Sequence, residues 1–122
     1  MAIKTSLRPI IRRIAEAIED YAKDEGFSKG DYALAGTWDE KTDRISLVFG
    51  TDRGIDERRW YVGILQSIRQ SLSDYPWMLR NIGLIVENVE NLDEVYLHFT
   101  GGENENDLTE LLERTSSRKR DP

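Results

Sequence analysis

The chain contains no cysteine and only one histidine among its 122 residues. The first absence removes disulfides, thiolate nucleophiles and cysteine-based zinc sites together. The second leaves imidazole chemistry to His98 alone, with no serine or cysteine partner in a recognisable motif. A metal would need several further ligands, and no spacing of histidine, aspartate and glutamate supplies them. No stretch approaches the roughly 18 consecutive apolar residues of a membrane span, and there is no secretory hydrophobic segment. Positive charge is also short, with 17 Lys and Arg against 23 Asp and Glu and a net charge of −6. That field opposes the phosphate backbone of duplex nucleic acid. The absences lead to an expectation of a cytoplasmic chain that needs no cofactor or metal and does not engage a membrane or duplex nucleic acid. Arg8, Arg12 and Arg13 precede the first acid, Glu16, as in a transit peptide, but the segment continues unbroken into an acidic helix.

What is present is periodic. Hydrophobic residues make up 39% of the chain and come in clear blocks, so the composition is not that of a disordered segment. Leu7, Ile10, Ile11, Ile14, Ile18, Tyr21 and Ala22 recur every three or four residues. They predict a helix capped by Thr5 or Ser6 and stopped by Gly26. Residues 32–38 and 44–50 alternate as strands around a polar five-residue link, 39–43. Asp56 is a good N-cap for a second helix, with Ile55 and Trp60 placed as a hydrophobic staple and Pro76 as its stop. Residues 82–89 and 94–100 read as a second hairpin. Asp107 with Glu110 resembles the capping box of a short third helix, and 115–122 reads as a polar tail.

Shifting residues 1–50 onto 51–100 without a gap matches Arg8 with Arg58, Ile14 with Ile64, Ile18 with Ile68, Leu34 with Leu84, Leu47 with Leu97 and Phe49 with Phe99. Two amphipathic αββ units of equal length would also match in this way, so duplication and shared periodicity both account for it. The expected fold is a single α+β domain over 1–114. It has two layers in the order αββαββα, with a four-stranded antiparallel sheet and helices mainly on one face.

Candidate sites follow from what this layout leaves unexplained. Glu103 to Asp107 is rich in oxygen ligands but lacks the EF-hand spacing. Gly50 to Gly54 joins a strand to a helix but lacks the lysine of a phosphate loop and carries Asp52. Arg8, Arg12, Arg53, Arg58 and Arg59 stand at or before helix starts, where cations oppose the macrodipole, and the first helix gathers its acids at its C-terminal end. An anionic ligand at the helix N-termini would account for this, as would ion pairing within the protein. The second sheet face would carry Ala33, Ala35, Val48, Ile85, Tyr96 and His98, which are small or apolar where a solvated face alternates to polar residues. That is a contact surface, or a face covered by the chain's own C-terminal part. The leading functional reading is a non-catalytic protein-interaction or adaptor module. It would be homodimeric through this face or bound to another protein. Binding of a small anionic ligand by the arginines is second. An enzyme using His98 with a carboxylate is third.

Overall fold

The computed structural model describes residues 7–99 and 105–112. The expected cap at Thr5 or Ser6, residues 100–104 and the tail lie outside them. Helix α1, Leu7–Asp24, buries Ile10, Ile11, Ile14 and Ile18 on one stripe. It ends in a Schellman arrangement: Gly26, at φ 88°, donates to the Lys23 carbonyl, and Phe27 donates to the Ala22 carbonyl. Strands β1, Tyr32–Asp39, and β2, Arg44–Thr51, form the expected hairpin. Its turn is fixed by the Asp39 carboxylate, which accepts from the amides of Lys41 and Thr42 at 2.8 and 3.1 Å. Helix α2, Glu57–Ser71, starts as read, with the Asp56 carboxylate accepting from the Arg59 amide at 3.1 Å. It stops before Pro76, which instead opens a four-residue helix, α3, Pro76–Leu79.

Strand β3, Ile82–Asn88, pairs with β2 in parallel, so the sheet is mixed and not antiparallel. The reason is geometric. The 15 residues of α2 span about 22 Å, which carries the chain back to the end of the sheet where β2 began. A strand that follows such a helix runs in the same direction as the strand before it. Strand β4, Glu105–Asp107, pairs antiparallel with Thr37–Asp39 of β1, and the order across the sheet is β3-β2-β1-β4.

The second hairpin does not exist. In place of its second strand, Leu92–His98 forms a 3-10 helix across the sheet. Asn91 caps it: the Asn91 side chain accepts from the Asp93 amide at 3.0 Å, and Glu94 accepts from the amides of Asn91 and Glu90 at 3.1 and 3.0 Å. The polar stretch read as a hairpin loop is therefore a helix-start signature. A period of three puts Leu92 and Val95 on the sheet and leaves Leu97 at 73% exposure. The order αββαββα and the duplication fall with this hairpin. Leu34 and Leu84 lie on the same side of the sheet, but Phe49 belongs to the helix-side core and Phe99 packs on the opposite side. The two halves therefore do not superpose as matching αββ units.

The sheet thus separates two apolar layers. On one face α1 and α2 pack with Trp38, Ile45, Leu47, Phe49 and Val86, and Trp60 lies 4.6 Å from Phe27 and 5.4 Å from Phe49 between ring centres. On the other, Val95 is fully buried over Ala33, Ala35 and Val48. Gly50 marks the closest approach, because a Cβ there would come within 2.4 Å of Val95 Cγ2.

Candidate functional site

The five arginines fall into two groups, and within one of them Arg53 and Arg59 line a single hollow before α2 together with Glu25 and Asp56. Helices α1 and α2 pack antiparallel: Ser71 Oγ donates to the Arg13 carbonyl at 3.3 Å, Ser67 Oγ donates to the Ala17 carbonyl at 2.9 Å, and Arg59 reaches Glu25. Arg8 and Arg12 therefore stand at one end of the pair and Arg58 and Arg59 at the other, about 20 Å away by helix rise. Charges that oppose their own helix are answered by the neighbouring one. Arg59 pairs with Glu25 at the C-terminal end of α1, and Arg13 pairs at 3.3 Å with Asp74 just beyond α2. Glu25 keeps the Arg59 guanidinium protonated beyond its ordinary range, through a hydrogen bond first and its charge second. Arg53 pairs with Asp31 at 3.3 Å and lies 4.6 Å over the Phe27 ring. Among the described residues Arg8, Arg12 and Arg58 are exposed and make no ion pair.

In and just after the loop from Gly50 to Gly54, three amides are already bonded. The Arg53 amide donates to Thr51 Oγ1 at 3.2 Å, the Ile55 amide to Asn88 Oδ1 at 2.8 Å, and the Arg59 amide to Asp56. In the acidic stretch before the last helical turn, residues 103 and 104 lie outside the described residues. Asn106 turns inward and donates to the Trp38 carbonyl and Glu40, while Asp107 accepts from the Thr109 amide. Among the described residues no cluster of three metal-ligating side chains occurs, and no helix is long and apolar enough to cross a membrane.

The second face of the sheet is not open. Ala33, Ala35 and Val48, expected at an interface, are 5%, 1% and 1% exposed beneath the chain's own Leu92–His98. Their small size serves the close approach of that segment. Ile85 and Tyr96 remain exposed at its flanks. His98 meets a carboxylate, Glu87 Oε2 at 2.8 Å, which ties the end of the 3-10 segment to β3. No hydroxyl is hydrogen-bonded to the imidazole among the described residues.

One place in the fold does gather unsatisfied features, and two residues of the expected interface, Ala33 and Tyr96, belong to it. A groove of about 470 Å³ runs along the first half of β1. Ala15 and Ile18 of α1 wall it on one side, Leu92 and Tyr96 of the 3-10 segment on the other, and Leu112 closes it near Gly36. Its floor is a sheet edge. Strand β4 covers only Thr37–Asp39 of β1, and Gly36 is met by the Leu108 amide and Thr109 Oγ1. Both Gly36 backbone groups thus point away from β2. Backbone direction alternates along a strand, so the N–H and C=O of Leu34 point the same way, into the groove. Among the described residues nothing hydrogen-bonds to them. Sequence reading does not reach this site because Glu105–Asp107 carries no apolar alternation to mark it as a strand, and the lining comes from separate segments of the chain. Comparison with family models, curated proteins and solved structures found no match to the chain.

Proposed function

We propose that the protein is a non-catalytic protein-interaction module that takes up a segment of another polypeptide in the groove along β1. The observation that carries this reading is the coincidence of an apolar groove with a half-covered sheet edge. Ligand sites are concave and mostly apolar with a few placed polar groups, and here these are the outward backbone groups of Leu34 together with the side chains of Lys29, Asp93, Tyr32 and Tyr96. Self-association through Ala33, Ala35 and Val48 would require Leu92–His98 to lift from the sheet, so the reading now rests on the groove. Anion binding has less support. The arginines stand in separate groups, and Arg53 and Arg59 already hold carboxylates.

Selection from a phage-displayed library of random twelve-residue peptides tests the reading. Enriched peptides, made synthetically and labelled, are expected to bind the wild type and to lose most of their affinity for Tyr96→Glu. That change charges one wall at a side chain 38% exposed, and the melting temperature of the variant is measured alongside to check that it folds. A lack of enrichment, or equal binding to both proteins, would refute the proposal.

A further inference from the structure

We infer that the protein pairs with a second copy of itself through the open edge of β3, antiparallel and twofold about Leu84, so that one sheet runs through both chains. The inference is independent of the groove, which lies along β1 on the other side of β2. It starts from backbone parity. The order β3-β2-β1-β4 leaves β3 at an edge. The Ile45 amide donates to the Asn81 carbonyl, and the Val89 amide donates to the Thr51 carbonyl. Odd-numbered residues of β3 thus turn their N–H and C=O toward β2, and even-numbered ones turn theirs outward. Asn88 fits this parity, since its amide donates to Glu57 Oε2 at 2.8 Å. The outward groups of Ile82, Leu84 and Val86 meet no partner among the described residues. Edge strands are ordinarily guarded by charge, proline or a bulge. Residues 82–86 are Ile-Gly-Leu-Ile-Val, and their register with β2 runs without a break.

One register lets this edge use all of its outward groups against its own copy. Placing Leu84 opposite the partner's Leu84 sets Ile82 opposite the partner's Val86, and each opposed pair exchanges both backbone bonds. A shift by two residues sets Val86 against Arg80, which is still in the helical conformation, or Ile82 against Asn88, whose amide is taken. Side chains follow the same register, because directly opposed residues share a face. On the helix side apolar meets apolar, Leu84 with Leu84 and Ile82 with Val86. On the other side Ile85, 47% exposed, comes opposite Gly83. There the guanidinium of Arg44 takes the place of a side chain: a Cβ on Gly83 would come within 2.5 Å of its Nη2. The partner's Glu87 stands diagonally from Gly83, within reach of that guanidinium. Among the described residues Arg44 is exposed and makes no ion pair, and Glu87 engages His98 through Oε2. The twofold repeats the Arg44 and Glu87 contact, so the edge matches itself in backbone, apolar surface and charge. Closed twofold pairing is the commonest assembly of soluble chains.

The chain's own ends are the rival occupants. Helix α2 lies over β3, while its Gly63 and Ser67 face α1, so α1 begins on the side of α2 away from this edge. After Phe99 the chain has to reach β4 by Glu105, at the opposite edge and about 14 Å from β3 by strand spacing. Residues 113–122 contain no Val, Ile, Leu, Met or aromatic residue to set against Leu84. A foreign strand could take the backbone bonds but would not bring the matched Arg44 and Glu87. A second copy is the occupant that fits.

Sedimentation equilibrium of the full-length protein at micromolar concentration should show twice the chain mass. Leu84→Pro removes only an outward-facing N–H, a change that edge strands accept, and should weaken self-association about tenfold or more. Arg44→Glu sets like charge against the partner's Glu87, and Glu87→Arg does the same against the partner's Arg44. Each should be a monomer where the wild type is a dimer. Mixed together, the two variants regain an opposite charge at both contacts across the twofold and should form a mixed dimer. Melting temperature and circular dichroism are measured for every variant. If Leu84→Pro does not fold, the mixing experiment decides alone. A wild-type monomer throughout the micromolar range would overturn the inference, and so would a dimer that none of the variants weakens. Charge variants that stay monomeric when mixed would overturn the register about Leu84. A monomer that dimerises only after removal of 1–6 or 113–122 would assign the edge to the chain's own ends and overturn the pairing for the intact protein.

Discussion

Tyr21 lays its ring over Gly63, so close that a Cβ on Gly63 would come within 2.3 Å of it, and meets the edge of Trp60 at 5.1 Å. A glycine inside a helix costs about 1 kcal/mol relative to alanine, and this one is kept because the ring of the neighbouring helix occupies the place of its side chain. Burial raises the Tyr21 hydroxyl above its usual value of 10.0, the Glu25 carboxylate adds to this, and Arg59 partly counters it. The neutral phenol is thus favoured in the folded state. Its contribution to stability is complete below the unfolded value and is lost as pH rises through the higher folded value. Urea titrations between about pH 8 and pH 11 should show wild-type stability falling more steeply above pH 10 than that of Tyr21→Phe, which keeps the ring and lacks the hydroxyl. Parallel curves for the two proteins across that window would contradict the account.

Among the elements, α1, α2 and the first hairpin were legible because each carries its own local signal: a stripe at helical spacing, a cap, an alternation closed by a polar link. The stretch 92–98 was not. Val95, Leu97 and Phe99 alternate as in a strand, and Leu92 and Val95 repeat at three as in a 3-10 helix. Seven residues satisfy both patterns, and the choice is made elsewhere, by the Asn91 and Glu94 cap and by a sheet face of small residues that seats a helix. The glycine at position 50 is the tightest part of that seat. Because β2 lies between β1 and β3, the sheet cannot yield to a methyl group there, and Val95 must. Gly50→Ala should therefore destabilise by about 1–3 kcal/mol. It should also speed amide exchange at 92–99 while leaving α1 protected. Adding Val95→Ala should recover part of the loss, so that the double variant is more stable than the two single effects combined. Unchanged exchange over 92–99 would mean that the segment does not press on Gly50.

At the scale of the whole molecule, the antiparallel helix pair decides where charge goes. The arginines at helix starts and the acids at the end of α1 looked adverse when each helix was read alone. Side by side and reversed, the helices place Glu25 against Arg59 at one end and Arg13 against Asp74 at the other. The groove could not be read from the sequence for the same reason: Ala15, Leu34, Leu92 and Leu112 meet only after the 3-10 segment has crossed the sheet and β4 has stopped short. The same arrangement sets how the protein responds to anions. A phosphate site would need several donors within one coordination distance, yet Arg8 and Arg12 stand at the far end of the pair, Arg53 and Arg59 share their hollow with the carboxylates of Asp56 and Glu25, and the amides of Arg53, Ile55 and Arg59 already donate to Thr51, Asn88 and Asp56. Phosphate and sulfate should therefore raise the melting temperature only in the gradual, unsaturated manner of excluded salts at hundreds of millimolar. Below about 10 mM, the range in which a specific native-state ligand would saturate, they should match chloride at equal ionic strength. Arg58→Ala with Arg59→Ala should leave this response unchanged, while lowering the melting temperature slightly through loss of the Glu25 pair. A saturable rise at low millimolar phosphate that the double variant abolishes would show that Arg58 and Arg59 gather an anion despite that pairing, and would restore the anion-binding reading.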